Sequence, residues 1–196
     1  MKGLVNFLFE VGMLKRTPRT GYQFLGSGRE SVAEHSFRTA VIGYLLSLQE
    51  PDADVRKTTL MCLFHDIHEA RTGDRNYVNK QYVHVDEDHA LMDSTRELPS
   101  CDEIVSLIRE FNEPESVEAR LSRDADQLDL ILTLKEQEDL GNKYARKWLS
   151  YAVERLVTNS AKMLAMEILE TDSTEWWFKK KRALWVDMAA KRGEVK

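Results

Sequence analysis

The chain has 196 residues, 42% of them hydrophobic and 31% charged, with a net charge of −5. That is the length of one domain and the composition of a globular one, which excludes whole-chain disorder; no apolar run approaches the roughly 20 residues of a spanning helix, which speaks against a membrane protein. The acidic balance also argues against a broad basic surface for polymeric nucleic acid, although it leaves room for a local basic pocket.

Only 4 Pro and 9 Gly punctuate the chain, and hydrophobic spacings near 3.6 dominate throughout. The fold class is therefore all-α. The spacing predicts a first helix over residues 3–14. Asn6 and Glu10 interrupt its apolar stretch, and Lys15-Arg16 follows rather than precedes it, so it does not read as a secretory signal. A loop with Thr17-Pro18, Gly21, Gly26 and Gly28 comes next. Ser31 and Glu34 form an S-x-x-E capping box that opens a helix over 31–49, stopped by Pro51. A third helix is predicted over 52–70, ending before Gly73, with Leu60, Met61, Leu63 and Phe64 in its core. Residues 72–82 read as a loop. Helices follow over 83–97, 101–112, 116–140 and 143–170, and a last amphipathic piece carries Trp176, Trp177, Phe178, Leu184 and Trp185. No composition shift marks a second domain, so 1–196 reads as one compact helical bundle. Its C-terminal helices, 143–191, pack on the bundle or at an interface between subunits. The two cysteines, Cys62 in an apolar run and Cys101, make neither a disulfide framework nor a CxxC site, which points to a reducing compartment and a cytoplasmic protein.

In an all-α chain the informative residues are polar ones on apolar faces. His35 shares a stripe with Thr39, Ile42 and Leu46. His65-Asp66 closes the apolar run 60–64, and burying that pair costs several kcal/mol unless something pairs with both. A divalent cation with a taste for imidazole and carboxylate would do so: Mn, Co, Ni, Zn or Fe. Glu69 follows His65 by four residues and faces the same way, placed to take a proton from water at such a cation. His68 makes no HxxxH pair with His65 and reads as supporting or surface. In the stretch 123–129 the aspartates 124, 126 and 129 compete. The apolar stripe Val117, Leu121, Ala125, Leu128, Leu132 runs nearer Asp124 than Asp126, so the pattern alone does not choose a ligand.

His35, then His65-Asp66, then a distant Asp resembles the H…HD…D signature of HD-domain metal-dependent phosphohydrolases. The segments Leu14–Gly21, Glu30–Ser36, His65–Ala70, Thr72-Gly73-Asp74 and Ala125-Asp126-Gln127-Leu128 are similar to the narrower 5′-deoxynucleotidase (YfbR-like) group. The resemblance implies an HD-domain bundle and one divalent metal (Co, Mn, Ni, Zn, Fe or Mg) held by His35, His65, Asp66 and Asp126. The A-D-x-L context selects Asp126 over Asp124. It implies that Glu69, with Asp66, serves catalysis, that Arg19 grips a substrate phosphate, and that Asp74 recognises a deoxyribose hydroxyl. The expected activity is hydrolysis of deoxyribonucleoside 5′-monophosphates by a homodimer. Thr20-Gly21-Tyr22 follows Arg19 where the bacterial type has a tryptophan, a departure that looks like the archaeal and eukaryotic branch. Other HD substrates (cyclic nucleotides, (p)ppGpp, dNTPs) and a non-catalytic metal-binding scaffold are the competing readings.

Overall fold

A computed structural model describes residues 1–99 and 101–178. All its regular elements among these residues are helical: α1 Lys2–Val11, α2 Tyr22–Leu25, α3 Val32–Ser47, α4 Val55–Phe64, α5 Glu69–Thr72, α6 Glu87–Thr95, α7 Cys101–Asn112, α8 Val117–Asp139, α9 Lys143–Glu154 and α10 Asn159–Glu170. Short 3₁₀ turns at Gly12–Lys15 and Asn79–Gln81 complete the set. Among the described residues no helix is long and apolar enough to cross a membrane.

The helix starts follow side-chain chemistry. Ser31 and Glu34 close the expected capping box, with Glu34 N–H donating to Ser31 Oγ at 3.2 Å and Ser31 N–H to Glu34 Oε2 at 2.7 Å. Asp54, Asp86, Ser116, Asn142 and Thr158 cap α4, α6, α8, α9 and α10 in the same manner, each accepting from a backbone N–H of the first turn.

Two predicted helices are broken. The helix expected over 52–70 ends at Phe64, and at its cap His65 Nδ1–H donates to the Cys62 carbonyl at 2.7 Å. Beyond it the backbone tightens to i→i+3 bonds, Ile67 N to Phe64 O and Glu69 N to Asp66 O, both 3.0 Å. The helix expected over 143–170 divides at 155–158. There Asp124 of α8 accepts from Val157 N (2.9 Å), Thr158 N (2.7 Å) and Thr158 Oγ1 (2.6 Å), turning the chain and freeing Thr158 to cap α10. Helix α2, by contrast, forms inside a stretch that reads as loop. Of the last aromatic piece, residues 173–178 make turns, while Leu184 and Trp185 lie outside the described residues, as does the end of the predicted 143–191 region.

The core is a three-helix contact of α3, α4 and α8, on which α9 and α10 pack. Leu46, Leu121, Leu128, Ile131 and Leu134 are fully buried in it. At Gly43 the α3 backbone comes so close to α4 that a Cβ would sit 2.4 Å from Cys62 Sγ. This close approach brings the start of α3 and the end of α4 to one place.

Asp124 is 2% exposed and holds the α9–α10 corner through three donors. Asp124→Ala removes the acceptor of three part-buried donors and should lower stability by about 2 kcal/mol or more. A urea unfolding curve checks this, with the m-value unchanged.

Candidate active site

The two histidines arrive already oriented. His35, on the buried face of α3, uses Nδ1 to meet Asp129 Oδ2 at 2.6 Å, and His65 uses Nδ1 to meet the Cys62 carbonyl. Each ring therefore turns Nε2 the same way, and the two Nε2 atoms lie 3.3 Å apart. Two carboxylates meet them. Asp126 Oδ1 is 3.1 Å from His35 Nε2 and 3.9 Å from His65 Nε2; Asp66 Oδ2 is 3.7 and 3.2 Å from the same atoms. The structure thus brings together all four residues of the expected ligand set. It separates the three aspartates of α8: Asp126 faces the cluster, Asp124 holds the α9–α10 corner, and Asp129 stands behind His35.

Asp129 and its partner Arg38 went unassigned in the sequence. Arg38 Nε donates to Asp129, and its other nitrogens reach Glu136 Oε1 (2.7 Å) and Thr133 Oγ1 (2.6 Å). The available signal was the spacing of Asp126 and Asp129, one helical turn apart, with one carboxylate ahead of the imidazole and one behind it. Glu30, His35 and Asp129 also converge, but there the Arg38 guanidinium supplies the positive charge. Burial and Asp129 push Glu30 up to about 7.

The electrostatics of the front cluster call for a cation. Burial and Arg19 push the His35 imidazole down, yet hydrogen bonds to Asp126 and Asp129 outweigh them and hold it at about 10. Burial works to raise Asp126 and Asp66. The neighbouring imidazoles and Arg19 overcome it, holding Asp126 at about 2 and Asp66 well below the usual carboxylate range. A cluster that retains a proton between two carboxylates offers a place for a more highly charged ion. Its donor set, imidazole nitrogens and carboxylate oxygens, suits a first-row divalent metal.

Arg19, Glu69 and Asp74 line the cavity of about 310 Å³ that opens beside Asp66. Arg19 is held by backbone pairing: its N–H donates to Glu30 O at 2.9 Å, and Pro18 bridges Ser31 antiparallel. Its Nη1 lies 3.3 Å from Asp66 Oδ2 and 3.7 Å from Asp74 Oδ1. Burial would lower its pKa, but Asp66, Asp126, Asp74 and Glu69 raise it, so the guanidinium stays charged. Gly73, at φ +69°, makes the turn that sends Asp74 into the cavity, where Oδ2 accepts from the backbone N–H and hydroxyl of Thr20. Glu69 Oε2 is buried without a hydrogen-bond partner. Burial, Asp66 and Asp74 push this carboxyl up to about 9. His68 stays outside the cluster, buried with Nε2 3.6 Å from Glu87, and burial lowers its pKa.

An HD-domain family model matches residues 11–168, and the chain belongs to that family. Human 5′-deoxynucleotidase HDDC2 is 33% identical over 151 residues, 74% of this chain and 73% of that protein. The fission yeast (Schizosaccharomyces pombe) 5′-deoxynucleotidase hdd1 is 28% identical over 69% of this chain and 72% of its own length. Among solved structures, PH0347 from Pyrococcus horikoshii superposes with a TM-score of 0.72 at 31% identity, covering 85% of this chain and 98% of that one.

Asp129 acts on the cluster only through His35. Asp129→Asn keeps the side-chain shape and removes the charge. It should weaken divalent metal binding by about 10–100-fold, measured by competition with a chromogenic chelator, while the far-UV circular dichroism is unchanged.

Proposed function

We propose that this chain is a metal-dependent phosphomonoesterase that hydrolyses deoxyribonucleoside 5′-monophosphates to deoxynucleoside and inorganic phosphate. The observation that carries this is the convergence, on one cavity, of Asp66 from the His/Asp cluster, the charged Arg19 and Glu69 with its unpartnered oxygen. A site that only held a metal would need neither of the last two. Relatives named 5′-deoxynucleotidase support the substrate class.

In this reading His35, His65, Asp66 and Asp126 hold one divalent ion, with Co, Mn, Ni, Zn, Fe and Mg as candidates. When bound, such an ion supplies positive charge to the phosphate and lowers the pKa of water. Arg19 has five donors on a planar fork and takes phosphate oxygens through those not turned to Asp66 and Asp74. With a divalent ion bound nearby, Glu69 would be ionised against the push of Asp66 and Asp74, and its Oε2, with no other partner, would accept a proton from the water that attacks phosphorus. The bond from phosphorus to the 5′ oxygen breaks, and Arg19 stabilises charge gathering on the remaining oxygens. Asp74 commits Oδ2 to Thr20 and leaves Oδ1 to accept from a sugar hydroxyl. The chain works as one HD domain, and its two cysteines, both free, fit a cytoplasmic enzyme.

The test is phosphate release from deoxy- and ribonucleoside 5′-monophosphates by metal-stripped protein, with each metal added singly. Glu69→Gln should retain metal and lose about 100–10,000-fold in kcat, and Asp66→Ala should lose both. Metal-dependent release by Asp66→Ala would overturn the site assignment.

We also propose that two copies pair through the outer face of α3. Phe37, Val41, Tyr44, Leu45 and Leu48 recur there at helical spacing, and all are exposed, Phe37 by 70%. The opposite face of α3 is buried in the core through Val32, Ala40, Ile42 and Leu46, so this helix carries apolar side chains on both faces, as a helix covered on both sides does. A twofold axis lets one such face cover its own copy. Light scattering should find the wild type at twice the chain mass. Phe37→Glu with Leu45→Glu should shift it to the monomer mass with metal content unchanged.

A further inference from the structure

The cavity at Arg19 does not end at Tyr77 and Trp148. A second cavity of about 380 Å³ adjoins it, and the two share Leu25, Tyr77, Trp148 and Arg155 as a common wall. Beyond that wall the lining changes in character. The first cavity is rich in carboxylates, whereas the second is lined by Phe24, Tyr144 and Tyr151 with Lys147 and Arg155, and by no acid. Neither cation has an ion pair among the described residues. Tyr144, Trp148, Tyr151 and Arg155 stand at i, i+4, i+7 and i+11 of the α9 segment and so form one stripe along it. The wall is braced: Phe24 lies 5.1 Å from Tyr77 and 6.4 Å from Trp148, centroid to centroid, the latter edge to face. Trp148 Cη2 packs against Gly21, two residues from Arg19, 3.3 Å from where a side chain there would begin.

Aromatic faces that remain exposed, interleaved with unpaired cations and continuous with a phosphate site, match the chemistry of a second nucleotide: a base to stack and a phosphate to neutralise. A cavity of about 310 Å³ is already at the small end for a ligand site and suits one nucleoside monophosphate. The second volume is therefore surplus to that substrate. Arg155, on the boundary between the two, stands where the linking phosphate of a dinucleotide would pass.

We propose that the cleft along α9 is a subsite for a second nucleotide, and that this protein removes the terminal phosphate from 5′-phosphorylated deoxydinucleotides. This rests on the phosphomonoesterase reading above. Water adds to the terminal phosphorus, the bond from phosphorus to the 5′ oxygen breaks, and the products are inorganic phosphate and a dinucleotide with a 5′ hydroxyl. The internal phosphodiester, held at Arg155 away from Glu69, stays intact.

The experiment compares dAMP with the 5′-phosphorylated dinucleotide of two deoxyadenosines, in the metal-loaded wild type and in Tyr151→Ala and Lys147→Ala. Neither substituted residue touches the first cavity. The expected result is phosphate release from both substrates, with KM for the dinucleotide about tenfold or more below that for dAMP. Each variant should erase that advantage and leave dAMP kinetics unchanged. Hydrolysis of dAMP without that advantage overturns the subsite. So does a variant that raises KM for dAMP as much as for the dinucleotide, since the cleft then holds the base of the mononucleotide. If neither substrate is hydrolysed, the phosphomonoesterase reading fails by itself. Calorimetric titration with the unphosphorylated dinucleotide then decides the subsite: binding weakened by Tyr151→Ala supports it, and no binding overturns it.

Discussion

Packing two carboxylates within 4 Å of the front nitrogens of two buried imidazoles is costly in any protein, and the layout of this one follows from how that cost is met. The rings converge because each spends its rear nitrogen on a fixed acceptor, His35 on Asp129 and His65 on the Cys62 carbonyl. Those acceptors sit on α8 and α4, and α3 must pack tightly between them for the front nitrogens to meet. The bare Cα of Gly43 permits that packing. The hydrogen bond that aims His65 also coincides with the end of α4, so the turn that exposes Asp66 and the aim of the ligand fall at one place.

Positive charge is distributed around this cluster in two layers. Behind it, Arg38 balances Asp129 and Glu30, so that the rear carboxylate supports His35 without becoming a second ion site. In front, Arg19 is drawn in by Asp66 and Asp74 and is carried on a segment tied to two sides, to Glu30 by backbone pairing and to Asp74 through Thr20. The guanidinium is therefore fixed before any anion arrives, which lowers the entropy lost on binding. Glu69 is the one member left without a partner. A buried carboxyl with an oxygen left free is poorly suited to stabilising the fold, and this one lines the cavity beside Arg19.

The acidic chain and its anionic substrate class are reconciled by geometry. Net charge describes the whole surface, whereas the cavity walls set Arg19, Arg75, Lys80 and Arg155 among their carboxylates, so a phosphate entering the groove meets cations at close range. The α9 stripe extends that groove with aromatic rings and a further lysine. Binding along it is thereby matched to short phosphorylated nucleosides, not to a long polyanion that would also meet the acidic exterior.

Much of the fold was legible in the sequence because helix signals are local. The capping box at Ser31, the break near Pro51, and the bounds of α7 and α8 all follow from residues a turn apart. The family signature was legible as well, since H…HD…D is a pattern of residue types, and the four residues that the resemblance names as ligands converge in the structure. What the sequence could not supply were the consequences of contacts between distant segments. The break between α9 and α10 depends on Asp124, over thirty residues away. For the same reason three aspartates that look alike on one helix took three different tasks. Each task was decided by what α3, α10 and the cavity presented to that carboxylate, and only the packed structure brings those partners within hydrogen-bonding distance.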